Sequence, residues 1–180
     1  MLFRSGPLTL QELRKSKVVS ESCSPLFFDP GVLISILYPQ LKLISPTRGR
    51  TLLIPHYTDM ERVRLQPPAD PSVVIVNPFS HPKQIAMQIS QSERVLSSSL
   101  HGIVLLEALG IPVVPVRLDN SIEPFFKYQD YYQGTGREAP CFAKTFVEAM
   151  DKEPIRYVYS DADFARFLDN FPYPLRNGAR

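Results

Sequence analysis

The sequence predicts an α/β protein whose parallel sheet is covered by helices on both faces, and three observations carry this. Apolar runs rich in Val, Ile and Leu recur at Thr51-Leu52-Leu53-Ile54, Val73-Val74-Ile75-Val76 and Val113-Val114-Pro115-Val116, as expected of strands buried on both sides. Helical patterns of suitable length alternate with them. Val95 to Pro112 packs strand, polar turn, helix and helix stop into one continuous unit. Together they describe a Rossmann-like half.

At the amino end, Pro7 to Leu13 reads as a helix entry, with Thr9 as N-cap and Glu12 completing a capping box. Val18 and Val19 are expected to form a short strand. Leu26-Phe27-Phe28 runs into Asp29-Pro30-Gly31, a turn in which Asp29 serves an Asx-turn or binds a ligand. A basic, proline-containing link from Pro46 to Arg50 precedes the strand Thr51–Ile54, which ends in Pro55-His56-Tyr57. The next strand leads into Asn77-Pro78-Phe79-Ser80, and Ser80 with Pro82 opens a helix to about Ser90.

The central unit follows. Arg94 to Ser97 is β-prone, whereas Leu100 to Leu109 carries Val104, Leu105, Ala108 and Leu109 at helical spacing before Gly110 and Pro112 stop it. A strand feeding directly into a helix aims the first helical N–H groups at the strand's carboxyl end, where an anion is favoured. Ser97, Ser98 and Ser99 add hydroxyls, Gly102 allows close approach of another chain segment, and His101 could donate to or protonate an anionic substrate. The plainer reading makes the serines N-caps and His101 structural.

Asp119 to Pro124 forms a loop, followed by the aromatic stretch Phe125 to Arg137. Phe126 is assigned to the core, while Tyr128, Tyr131 and Tyr132 either join it or stack on a ligand. Helices are expected at about Phe142 to Met150 and Asp161 to Leu168, the second capped by Ser160 with Asp163. The domain reading is a Rossmann-like ligand-binding unit over residues 1–137 and a helical extension over 138–180 packed on it, with a loosely ordered tail from Pro172.

The 180 residues are 44% hydrophobic and 21% charged, which suits a globular chain with a sizeable core. A net charge of +2 gives no field for nucleic acid. No apolar run reaches the length of a membrane span, and the opening residues lack a signal-peptide pattern, so a cytoplasmic protein is expected. Cys23 and Cys141 form no C-x-x-C pair, and His56, His81 and His101 lack ligand spacing. No disulfide framework or metal site is therefore expected, and both cysteines should be reduced and at least half-buried. No G-x-G-x-x-G loop signals a dinucleotide.

Ser97-Ser98-Ser99-Leu100-His101-Gly102, then Glu107-Ala108, Gly110-Ile111-Pro112, Phe126-Lys127-Tyr128 and Asp130-Tyr131-Tyr132, resembles the bacterial polysaccharide pyruvyl transferase family. Upstream, Ile54-Pro55-His56-Tyr57, Asp29-Pro30-Gly31 and Arg4 with Gly6-Pro7-Leu8-Thr9 resemble further segments of that family. The resemblance spans roughly residues 4 to 137 and implies the carboxyl-terminal half of a GT-B-type fold. It implies transfer of the pyruvyl group of phosphoenolpyruvate to two sugar hydroxyls, as a ketal, in exopolysaccharide, capsule or cell-wall synthesis. Phosphoenolpyruvate would be the donor substrate, with no cofactor, and a glycan or lipid-linked saccharide the acceptor. His101 corresponds to the motif histidine implicated in donor binding and acid chemistry, and Arg4 to an arginine holding donor phosphate or carboxylate.

A small, multiply anionic donor needs backbone N–H groups, hydroxyls and cations. Substrate-binding candidates are thus Arg4, His56, Tyr57, Ser97, Ser98, Ser99, Leu100, Gly102, Lys127 and Arg137. For Lys127 and Arg137 the plain alternative is solvation, and for His56 and Tyr57 it is core closure. Ser99 stands where some relatives carry arginine, Ser5 interrupts the Arg-Gly-Pro segment, and an amino-terminal half or partner subunit would be needed to complete the cleft. A nucleotide-sugar glycosyltransferase or epimerase half, and a non-catalytic assembly domain, stand as alternatives.

Overall fold

The computed structural model describes residues 3, 4, 6–119 and 121–170, with backbone alone for Phe3 and Arg4. The predicted tail from Pro172 lies outside the described residues. Strand β1 (Phe3–Arg4) pairs in parallel with β2 (Leu26–Phe27), and between them runs helix α1 (Pro7–Lys15).

The capping box predicted at Thr9 and Glu12 does not form, because the helix starts earlier, with Pro7 in the first-turn position that proline suits. Its exposed N–H groups are capped from far along the chain. Asp130 Oδ1 accepts from the N–H groups of Leu8 (2.7 Å) and Thr9 (3.0 Å), and Oδ2 accepts from the Thr9 hydroxyl. Gly6 is required for this contact, since a Cβ there would stand 1.7 Å from the Asp130 carbonyl oxygen. At the other end Lys17 adopts φ 55° and the Val18 N–H reaches back to the Leu13 carbonyl at 2.9 Å, a helix-terminating turn. Val18 and Val19 therefore finish α1 instead of forming the strand expected there.

After β2, Asp29 makes the Asx turn: its Oδ1 accepts the Gly31 N–H at 2.8 Å and opens a 3₁₀ turn (Pro30–Leu33) that continues into α2 (Ile34–Leu37). The main sheet is four parallel strands, β3 (Thr47–Ile54), β4 (Val73–Ile75), β5 (Ser92–Ser97) and β6 (Val114–Pro115), in the spatial order β4-β3-β5-β6. Strand β3 takes up most of the residues expected as a link. Its register shifts between Thr47 and Thr51, where Gly49 holds φ 74°.

Alternation along these strands sorts side chains to two faces. Leu52, Ile54 and Val95 join one buried cluster, Leu53 and Leu96 the other. Helices cover both faces as predicted, except at β4. That strand is an edge with one partner, and Val74 and Ile75 are half-exposed. The opposite edge is closed by single bridges from Val113 to Ile155 and from Val116 to Ala143.

Helix α3 (Met60–Leu65) follows a 3₁₀ turn (Tyr57–Asp59) after β3. Helix α4 (Pro82–Ser90) ends where predicted but is capped by His81, whose Nδ1 accepts from the Lys83 N–H, in place of Ser80. Helix α5 (Leu100–Leu109) has the predicted bounds and closes on Gly110 at φ 69°. Every residue of α5 except His101 is buried.

In α6 (Phe126–Gly134) the core assignment of Phe126 fails, since it is exposed, and the open question of Tyr128, Tyr131 and Tyr132 is settled for the core, since all three are buried. The hydroxyls of Tyr128 and Tyr131 find polar partners inside, which lets these side chains be buried: Tyr128 donates to the Ser98 carbonyl at 2.7 Å and Tyr131 to Glu107 at 2.6 Å. Helix α7 starts at Phe146, not Phe142 (Phe146–Asp151), because Ala143 is spent on the bridge to Val116 and Thr145 supplies the cap. Helix α8 (Asp161–Asp169) carries the predicted Ser160–Asp163 capping box. Residues beyond Arg137 feed the core through Ala143, Ala149, Tyr159 and Phe167.

Replacing Asp130 by Ala strands two helix-terminal N–H groups and a hydroxyl, and is expected to cost about 2–4 kcal/mol in urea unfolding. Thr9→Val, which leaves both N–H groups capped, should cost about 1 kcal/mol. Equal losses would remove the cap as the reason.

Candidate functional site

In an open parallel sheet a ligand crevice forms where neighbouring strands send their connections in opposite directions. Here the chain leaves β3 toward β4 and leaves β5 toward β6 on the far side, so the carboxyl ends of β3 and β5 flank the switch point. The residues just past them are Pro55-His56-Tyr57 and Ser98-Ser99-Leu100-His101. A cleft of about 560 Å³ opens there, lined among others by His56, Tyr57, Phe79, His101, Glu123 and Lys127.

The three serines do different work. Ser97 is buried, and its hydroxyl shares one proton between the carbonyls of Ser99 (3.0 Å) and Ile54 (3.3 Å) while accepting the Ser99 N–H. Ser98 is buried too: its hydroxyl donates to Asp59 at 2.7 Å and accepts the His56 N–H at 2.9 Å. Ser99 lines the cleft and caps α5 through the Gly102 N–H at 3.4 Å. Gly102 is small because α5 sits close on the sheet. A Cβ there would stand 2.5 Å from the Ser97 hydroxyl and 3.0 Å from Ile54 Cγ2.

His101, on the first turn of α5, points its Nδ1 at Asp29 Oδ2, 3.5 Å away, with the imidazole largely exposed and the carboxylate buried. The hydrogen bond to Asp29 raises the His101 pKa above its ordinary value, outweighing the opposing effect of burial. His56 goes the other way. Burial lowers its pKa, the Glu123 carboxylate raises it less, and Lys127 adds to the lowering. Its Nδ1 lies 2.7 Å from the Thr58 hydroxyl and its Nε2 lies 3.4 Å from Glu123 Oε1. Lys127 pairs with the other oxygen of Glu123. The cleft thus holds a histidine biased to be cationic and another biased to be neutral, a difference that suits separate acid and non-acid roles.

Of the residues singled out in the sequence, the cleft brings together His56, Tyr57, Ser99, His101, Gly102 and Lys127. Ser97 and Ser98 lie behind it as buried ties, and Leu100 is in the hydrophobic core. The Arg4 side chain lies outside the described residues. Arg137 is placed elsewhere: it makes a two-pronged pair with Glu107 at 2.9 and 2.7 Å and stacks 3.6 Å over the Tyr157 ring. Glu107 is only 2% exposed and also accepts from Tyr131 at 2.6 Å. A buried carboxylate on α5 demands a cation, and Arg137 meets that demand.

Glu123, Asp59 and Phe79 were not singled out. Glu123 stands four residues before Lys127, a pairing distance visible in the sequence, but the intervening Pro124 suggested only a loop. Nothing local marks Asp59. Cys141 is exposed and Cys23 half-buried, both as free thiols, so the expectation of shelter fails for Cys141. Among the described residues no group of three or more His, Cys, Asp or Glu side chains is placed to hold a metal ion, and no helix is long and apolar enough to cross a membrane. A larger hollow of about 800 Å³, lined by Leu118, Phe146 and Met150 among others, touches none of the cleft residues.

No protein-family model matches the chain, and no solved structure matches it. It is similar to the uncharacterized protein L143 of Acanthamoeba polyphaga mimivirus, at 31% identity over 121 residues, covering 64% of this chain and 42% of that one. It is also similar to the succinoglycan biosynthesis protein ExoV of Rhizobium meliloti (strain 1021), at 29% identity over 154 residues, covering 82% of this chain and 45% of that one. The chain spans less than half the length of these relatives.

NMR titration should find His101 deprotonating above, and His56 below, the ordinary histidine value, and Asp29→Asn should pull His101 back down. The stability effects have opposite signs. The His101 contribution is present below its unfolded pKa and lost as pH rises through its folded one; the His56 contribution is present above its unfolded pKa and lost as pH falls. Arg137→Ala should cost about 3–5 kcal/mol by leaving Glu107 buried without its cation, and Arg137→Lys should recover only part of it. A melt in which Lys substitutes fully would refute the two-pronged role.

Proposed function

We propose that this chain is the donor-binding half of a polysaccharide pyruvyl transferase, a Rossmann-like half of a GT-B-type enzyme that joins pyruvate from phosphoenolpyruvate to a sugar as a ketal. The observation that carries the reading is the pairing of a histidine biased toward the cation with a lysine in one cleft at the sheet's switch point. The similarity to a succinoglycan biosynthesis protein supports a place in exopolysaccharide, capsule or cell-wall polymer synthesis. The chain's extent relative to that protein fits a second half, or partner subunit, closing the cleft.

The chemistry assigns a proton to each step. His101, as imidazolium, gives its proton to the methylene carbon of phosphoenolpyruvate. A sugar hydroxyl forms a C–O bond at the carbon bearing phosphate, and phosphate departs with its bonding pair. A second hydroxyl of the sugar attacks the same carbon; the proton of one hydroxyl restores His101 and that of the other leaves with the phosphate, so one donor and one diol give one ketal and one inorganic phosphate. Lys127 meets the departing phosphate. In the unliganded cleft it is held by Glu123, which His56 also contacts. An anion can therefore take the lysine without leaving Glu123 alone.

Two measurements test the reading. Phosphoenolpyruvate should raise the melting temperature of the chain, while uridine or adenosine diphosphate should not. The reverse pattern would favour a nucleotide-sugar enzyme, and no shift with any of the three would favour an assembly domain. In the enzyme completed by its other half, phosphate release from phosphoenolpyruvate should require a glycan acceptor, and His101→Ala should slow it by about 100-fold or more. Unaltered release in that variant would end the acid role of His101.

A further inference from the structure

Two aromatic rings stand at the mouth of this cleft where burial would be expected. Phe79 is 78% exposed and Tyr57 is 57% exposed, with centroids 6.5 Å apart, and both line the cavity that holds Glu123. Neither is loosely placed. Asn77 Oδ1 accepts the Phe79 N–H at 3.0 Å, and the Ser80 N–H closes on the Asn77 carbonyl at 3.0 Å. This tight turn between Pro78 and Pro82 directs Phe79 outward. Tyr57 begins the 3₁₀ turn fixed at both ends by Ser98, through the His56 N–H and the Asp59 carboxylate, and its ring lies 4.4 Å from that of His56.

Rings held out to solvent by fixed backbone turns keep water on apolar faces, which a ligand with an apolar face of its own relieves. Beside them sits a carboxylate that accepts but does not donate. An apolar ring face together with hydroxyl acceptors is the complement of a pyranose, whose C–H bonds cluster on one face while its hydroxyls project around the rim.

We propose that Tyr57 and Phe79 form a stacking platform for a pyranose ring of the saccharide acceptor, and that Glu123 accepts a hydrogen bond from one of its hydroxyls. This rests on the pyruvyl transfer reading for its choice of acceptor, and it puts part of the acceptor site in the same chain as the donor cleft. An oxygen of Glu123 released when Lys127 turns to phosphate becomes free for that hydroxyl, so donor and acceptor need not compete.

Saturation-transfer NMR on the whole chain with methyl β-D-galactopyranoside tests the platform. Saturation should reach the C–H protons of one ring face. It should fall about threefold or more in Phe79→Ala and in Tyr57→Ala and be kept in Phe79→Trp, with unchanged melting curves confirming that each variant folds. No transfer in the native chain, or native-level transfer in both alanine variants, overturns the platform. Transfer to the base protons of uridine diphosphate with none to the pyranoside also overturns it. Thermal shifts with phosphoenolpyruvate on the same native samples separate the two readings. A donor shift without sugar signal removes the platform alone; sugar signal without a donor shift removes the donor reading alone.

Discussion

The arrangement of the cleft depends on the hydroxyl of Ser98. The last ladder contacts of β3 and β5 lie at Ile54 and Ser97, and beyond that point the two chains must part. Ser98 bridges the gap by donating to Asp59 and accepting from the His56 amide, while its own carbonyl takes the Tyr128 hydroxyl. Three segments are thereby fixed to one residue: the turn bearing His56 and Tyr57, the start of α5 bearing His101, and the helix α6 bearing Lys127. The bonds to Asp59 and from Tyr128 are buried, where a lost partner is costly. The Tyr128 hydroxyl is held well above its ordinary pKa by burial and so remains a donor.

Charge in the cleft is close to balanced. Lys127 and His101 face Glu123 and Asp29, each cation with a carboxylate in reach. Such a site differs from a basic anion trap. It holds its cations in place with internal partners and can exchange those partners for a ligand, so an anion meets cations that are already positioned. The low accessibility of Glu123, at 13% of its side chain, strengthens its hold on Lys127, since local screening by solvent is weak.

Much of the fold was legible because it rests on local rules. The bounds of α5 followed from apolar spacing and Gly110, and the Ser160–Asp163 box from a short-range motif. The turn at Asp29 and the placing of His56 and His101 at strand ends were likewise readable. The misreadings share a cause in contacts between distant residues. Asp130 took over the cap of α1 across the whole domain, so the local Thr9 signal lost. Ala143 joined a strand edge, so α7 began late. Arg137 looked like a free cation until Glu107, thirty residues earlier on a buried helix, claimed it. Phe126 lost the core place assigned to it because hydroxyl partners such as Ser98, unseen in one dimension, made burial of the neighbouring tyrosines favourable. Glu123 escaped notice for the same reason, its partners being His56 from another strand and Lys127 across a proline.

Helix α5 buries every side chain but one, and that one is His101. Elsewhere on this helix a change must satisfy packing before anything else, so tolerance or intolerance there says little about chemistry. Position 101 is different, because its ring projects into solvent and no neighbour in the core leans on it. In a library of variants sorted first for folding and then for function, this helix would show a single position whose only cost in the first sort is the lost pair with Asp29. Whatever restriction the second sort imposes at that position would be a direct reading of what the cleft is for.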